Sequence, residues 1–249
     1  MNTNIHSTVL VDPKAKIASN VEIGPYSIIY GNVEIEDGCK IGPYCEIGIP
    51  TPIGSGAPLK LGKNSLIRSH SVFYESSEFG EKLITGHRVT VRENTMAGKN
   101  LQIGTLTDIQ GDCQIGDYVR CHSNVHIGKK SSIGSFVWIF PYVVLTNDPH
   151  PPSEVLKGVI VEDYAVIATM SVILPGVRVG AGSLIGASSL LKVDAEPDMV
   201  YAGNPATLVC STKKIRLQDG TRREAYPWRN HFTRGYPDEI VSLWGGNEG

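Results

Sequence analysis

Residues 17–48 read IASNVEIGPYSIIYGNVEIEDGCKIGPYCEIG, and isoleucine falls on every sixth position: Ile17, Ile23, Ile29, Ile35, Ile41 and Ile47. Four residues after the first five of these stand the small side chains Val21, Ser27, Val33, Cys39 and Cys45. The same step returns from Leu61 through Ile67, Phe73, Ile109 and Ile127 to Leu145, and again from Val161 to Leu191. A six-residue unit is too short to bury an apolar side alone, so it must stack on copies of itself. That period marks a parallel β-helix. Three units make a triangular coil of eighteen residues, which sets residues eighteen apart side by side at about 4.8 Å. Asn20, Asn32, Gly38, Asn64, Asn100, Gly176 and Gly182 occupy the expected corners, because Asn and Gly tolerate left-handed backbone.

Two stretches interrupt the repeat, residues 49–60 and 149–160, and long loops on a rigid scaffold commonly carry binding function. The pattern divides the chain into a β-helix over 1–194 and a C-terminal extension over 195–249. The extension is expected to hold a short helix from Pro237 to Trp244, and its aromatic residues to cap the last coil or meet a neighbouring subunit. A net charge of −2 gives no sign of nucleic-acid or membrane binding. The start, Met1-Asn2-Thr3-Asn4, has neither a basic nor an apolar run, and no stretch nears the ~20 apolar residues of a membrane span. The expected location is the cytoplasm. The five cysteines have no Cys-x-x-Cys spacing, and four of them read as core hydrophobes, Cys39, Cys45 and Cys113 at small inward positions and Cys121 on the ladder.

Over residues 11–209, with Leu174-Pro175-Gly176-Val177 and the exit Ala202-Gly203-Asn204-Pro205-Ala206, the chain resembles the hexapeptide-repeat acyltransferases. The resemblance implies an all-β, left-handed parallel β-helix that forms homotrimers, with acyl-CoA in the groove between adjacent prisms. Acetyl-CoA or another acyl-CoA would be the co-substrate, and no metal is expected. Backbone donors would come from Ala168, Gly186 and Ala187, with Lys192 near the adenine end. The run from Thr85 to Asn94, together with Thr146-Asn147-Asp148 and the tail from Tyr226 to Arg234, is similar to the branch that N-acylates nucleotide-linked amino-dideoxy sugars of dTDP type. The acyltransferases of lipid A synthesis carry a His-Asp pair in a segment resembling Ile109-Gln110-Gly111-Asp112-Cys113; here Gly111 takes the histidine's place. Galactoside-type O-acetyltransferases place a catalytic histidine in a segment similar to Thr146–Pro151, which makes His150 a looser candidate.

Coil arithmetic puts the units starting at Ile67, Thr85, Ile103, Cys121 and Ile139 on one face, and these units contain His70, His87, His122 and His126. His126 stands eighteen residues after Asp108, so the two are expected to meet on adjacent coils, where a carboxylate orients an imidazole. The catalytic candidates are Asp108, His126, His87 and Asn94, with Asn94 hydrogen-bonding a sugar. Arg68, Arg88 and Arg92 are candidates for a diphosphate, and His70 and His122 for further substrate contacts. An amine attacking an already activated thioester needs little base, whereas a sugar hydroxyl needs a great deal. The alternatives are O-acetylation of a sugar hydroxyl, a trimeric zinc carbonic-anhydrase-like enzyme, and a structural trimer without catalysis. The zinc reading uses His87, His122 and His126. Because His122 and His126 stand about 13 Å apart on an extended strand, a second subunit must then complete the site.

Overall fold

The computed structural model describes residues 3–245, most of which wind into one triangular left-handed β-helix. Strands mostly of two residues follow one another around three sheets of twelve, ten and nine strands. The first face begins with Asn4–Ile5, the second with Leu10–Val11 and the third with Lys16–Ile17. Pairing is parallel at the expected step, with Glu22 opposite Lys40, Asp108 opposite His126 and Val166 opposite Leu184. The ladder points inward: Ile29, Ile47, Ile67, Phe73, Ile109, Ile127 and Ile139 are each at most 1% exposed. Every such side chain taken from water contributes about 1.5–3 kcal/mol. The small partners fill the remaining width, and the buried hydroxyls among them are satisfied. Ser27 Oγ donates to Gly42 O at 2.9 Å and accepts from Cys45 N at 3.1 Å. Burial pushes the Cys113 thiol up to about 11 and Cys121 up to about 12, so these cysteines are core residues rather than nucleophiles.

The corners differ from the expected composition. Asn20, Gly38, Asn64, Asn100, Gly176 and Gly182 do adopt positive φ, but so do Tyr26, Tyr44, His70, Arg88, Tyr118, Phe136, Tyr142 and Tyr164. Asn32 does not; its Nδ2 instead donates to Gly56 O and Ala57 O in the first loop. Left-handed backbone costs an ordinary residue about 1–2 kcal/mol. The ladder on either side fixes the corner, and stacking along it offsets part of that cost. The ring centroids of Tyr118 and Phe136 lie 5.1 Å apart, and those of Phe136 and Tyr164 4.9 Å apart.

Both interruptions leave the second face and re-enter on the third, so they project from the same edge of the prism. The first runs between Glu46–Ile49 and Leu59–Leu61, the second between Val144–Leu145 and Ile160–Val161. Neither breaks the winding, because Glu46 still pairs with Val72 and Val144 with Val172.

The helix also continues past residue 194. Met199–Gly203 joins the first face through Val200 and Tyr201 before turning back as a hairpin with Ala206–Ser211. Tyr201 holds the ladder place there, which hides the coil from an aliphatic six-residue pattern. The expected short helix forms at Asp238–Gly245. Beyond this hairpin, whose Tyr201 and Ala206 join the core at the end of the prism, the tail does not stay on the open end. It folds back along the first face, where Trp228 and Tyr236 pack against Tyr118, Phe136, Trp138, Tyr164 and Val166.

Candidate active site

Between the two loops, the edge joining the second and third faces carries a connected set of polar side chains. Asp108 and His126 stand on paired strands of the second face, with His126 Nδ1 3.2 Å from Asp108 Oδ2. Gln110 Nε2 donates to the same carboxylate oxygen. Burial raises the Asp108 pKa, but the hydrogen bonds from His126 and Gln110 and the charges of His126 and Arg92 outweigh it, so the carboxyl lies below its usual range. Both partners are about one-third exposed, so the pair adds less than about 1 kcal/mol of stability. Stability therefore gives little reason for it. Asp108 fixes the ring through Nδ1 and leaves Nε2 directed away from the carboxylate, the arrangement in which an imidazole accepts or passes a proton.

One coil before Asp108, just past the strand that pairs with it, Glu93 is fully buried and bridges Arg92 Nε at 3.1 Å and Lys129 Nζ at 3.5 Å. Lys129 also reaches Asp112 at 3.3 Å, and Asp112 accepts from Asn94 Nδ2 at 2.8 Å. Asn94 is thereby committed: it is a left-handed corner that also holds the first loop, accepting from Ser55 N at 3.1 Å. The lipid-A-type histidine position is physically closed. Gly111 has φ +92°, and a Cβ there would lie 2.6 Å from Glu93 O.

The four histidines do not share a face. The strands begin one residue before the ladder position, so His126 belongs to the second sheet, while His122 follows a strand of the first. His70 is a left-handed corner stacked on Tyr44 at 5.0 Å. His87 lies exposed with its Nδ1 2.8 Å from Ser69 Oγ. The three arginines diverge as well: Arg68 lies beside the first face, Arg88 forms a corner, and Arg92 is bound to Glu93. The N–H groups of Ala168 and Gly186 are engaged in the ladder, donating to Ile185 O at 2.9 Å and Tyr201 O at 2.8 Å. That overturns them as free donors and leaves Ala187, which, like Lys192, is exposed. His150 is exposed in the second loop. Among the described residues, no three or more His, Cys, Asp and Glu side chains are placed to hold a metal ion. Likewise, no described helix is long and apolar enough to cross a membrane.

Sequence reasoning named Arg68 and His122 beside the first face but missed Arg120, Trp138 and their partners in the tail. Arg120 is 5% exposed and donates to the carbonyls of Asn100, Val119 and Gly235, with its guanidinium 4.9 Å from the Tyr236 ring centre. Trp138 Nε1 donates to Tyr236 Oη at 3.0 Å, and His122 stacks on Phe140 at 4.7 Å. Burial lowers the His122 pKa, which favours the neutral ring. The one signal in the sequence is the alternation of Arg120, His122, Trp138 and Phe140 at outward positions eighteen apart.

Comparison with known proteins gives a consistent picture. A family model described as bacterial transferase hexapeptide (six repeats) matches residues 14–48. The acyl-(acyl-carrier-protein)–UDP-N-acetylglucosamine O-acyltransferase of Paraburkholderia phymatum is 32% identical over 204 residues, covering 82% of this chain and 71% of the relative. The protein of the same name from Burkholderia lata is 33% identical over 125 residues, and the match spans only 42% of that relative's length. The solved Arabidopsis UDP-N-acetylglucosamine acyltransferase shares the fold, with a TM-score of 0.70 at 23% identity over 83% of this chain and 74% of that one.

Proposed function

We propose a function from one premise: the chain belongs to the hexapeptide-repeat acyltransferase family. In our reading it transfers an acyl group, acetyl in the simplest case, from a coenzyme A thioester to the amino group of a nucleotide-linked amino-dideoxy sugar of dTDP type. The nucleotide-linked acceptor is supported by the names of the relatives, which act on UDP-N-acetylglucosamine. The choice of an amine rests on Gly111. Its backbone and the 2.6 Å approach to Glu93 O exclude the side chain that would serve as base in the lipid-A-type segment. A hydroxyl keeps its proton until the transition state and depends on such a base, whereas an amine is partly neutral before it reacts.

The amine nitrogen attacks the thioester carbonyl carbon; the C–N bond forms as the C–S bond breaks. The proton shed by nitrogen passes to the departing thiolate, directly or through His126, whose ring Asp108 holds in place. Assembly as a trimer would bring a neighbouring prism against this edge and supply walls that a single chain lacks.

Acyl transfer to a hydroxyl, with Asp108 and His126 as the base pair, is the second reading, and the O-acyltransferase names of the relatives favour it. Incubating the protein with acetyl-CoA, or with an acylated carrier protein, and a panel of nucleotide amino sugars and UDP-N-acetylglucosamine separates the readings by mass spectrometry. The proposal expects acylation of an amino-sugar nucleotide from the CoA donor. Acylation of UDP-N-acetylglucosamine alone, from the carrier protein alone, would overturn both halves of it.

A further inference from the structure

We propose that the cleft between the first face and the returning tail is a binding site for a nucleoside diphosphate. A cavity of about 510 Å³ opens there, lined by Arg68, Arg120 and His122 on the prism and by Arg234 on the tail. It adjoins an apolar slot of about 180 Å³ lined by Trp138, Phe140, Trp228 and Phe232, and the two share Trp138 and Phe232. The first compartment is cationic: it has three arginines and no carboxylate in its lining. None of the three has an ion-pair partner among the described residues. Arg120 is the most telling. A guanidinium this far out of water is ordinarily matched by a carboxylate, because desolvating a charge costs several kcal/mol. Here it meets carbonyls and a tyrosine ring, which orient it without neutralising it.

Arg120 also latches the tail through Gly235 O at 3.2 Å, but that role does not explain Arg68 and Arg234, which are exposed and point into the same cavity. Forked guanidinium groups match diphosphate oxygens, and flat rings offer a nucleobase a stacking surface. The order of the compartments, cationic and then aromatic, follows the order of groups in a nucleoside diphosphate. Two substrates of the proposed reaction carry this chemistry: the nucleotide sugar, and coenzyme A through its phosphorylated ADP. The identity of the occupant rests on the function proposed above; the binding does not.

All three tryptophans, Trp138, Trp228 and Trp244, lie in the aromatic cluster at this cleft, so intrinsic fluorescence reports on it. The full chain is titrated with dTDP, UDP, coenzyme A and inorganic pyrophosphate, alongside the variants Arg68→Ala and Arg234→Ala. The expected result is a saturable change in emission with at least one nucleotide and a Kd raised at least tenfold in each variant, at an unchanged melting temperature. A response to dTDP or UDP assigns the cleft to the acceptor, and a response to coenzyme A alone assigns it to the donor. No response to any nucleotide, or variants that bind as the parent does, overturns the proposal; pyrophosphate binding as tightly as the nucleotides overturns its aromatic half. Turnover without a fluorescence response sinks the cleft and spares the reaction, whereas binding without turnover does the reverse.

Discussion

The first and second faces of the prism are built from the same two-residue strands, yet one is roofed by the tail and the other is open between two loops. On the roofed face the residues that meet the tail include the cationic Arg120 and the aromatic Trp138, and their contacts reach about a hundred residues along the sequence, as between Trp138 and Tyr236. On the open face they are Asp108, Gln110 and His126, whose partners stand one coil away or on the same strand. The interior is uniform, so the difference teaches that the ladder decides the winding and the outward residues decide the chemistry.

Removing the roof is the harshest way to break that contrast. Trp228→Ala deletes the centre of the aromatic cluster and is expected to cost about 3–5 kcal/mol of tail docking. Limited proteolysis should then cut between residues 212 and 245 while circular dichroism shows the prism intact. Cooperative loss of the whole β signal would mean that the tail and prism fold as one unit. On the open face, Gly111→Ala forces a side chain onto Glu93 O in a left-handed conformation. The expected loss is about 1–3 kcal/mol, read as a lower melting temperature, and an unchanged value would remove the argument that this corner is closed to a base.

The next change concerns rate. Under amine attack, Asp108→Asn and His126→Ala each lower kcat/KM by about tenfold or less. An obligate general base would cost about 10²–10⁴-fold. Steady-state kinetics on an amino-sugar nucleotide separates the two ranges. The smallest effect concerns His122. Its folded pKa lies below the unfolded value of 6.5, so in the acid range the unfolded chain binds a proton that the folded chain refuses. Its contribution is therefore fully present above that value and declines as pH falls below it. The slope of melting temperature between pH 7 and 5 should flatten in His122→Phe, and an unaltered slope would show that burial of this ring is not felt.

Much of the fold was legible because a short repeat leaves little choice: Ile17 to Ile47 set the winding, and Asp108 and His126 met because eighteen residues separate them. What stayed hidden has physical causes. The strand begins one residue ahead of its ladder position, which moved His126 to another face. Corners held by the ladder accept tyrosine as well as asparagine, so Tyr118, Phe136 and Tyr164 gave no sign that they form a stacked row. The path of the tail depends on side-chain packing between Trp228, Tyr236 and distant coils, which no local period encodes. Backbone donors such as Ala168 and Gly186 look free in a linear chain and are consumed once the coils stack.

The central claim is that the acyl group ends on nitrogen. The product made from acetyl-CoA and an amino-sugar nucleotide can be exposed to alkaline hydroxylamine and weighed before and after by mass spectrometry. An amide resists this reagent and should keep its acyl mass unchanged. Loss of the acyl group, with release of the hydroxamate, would identify an ester and contradict the account.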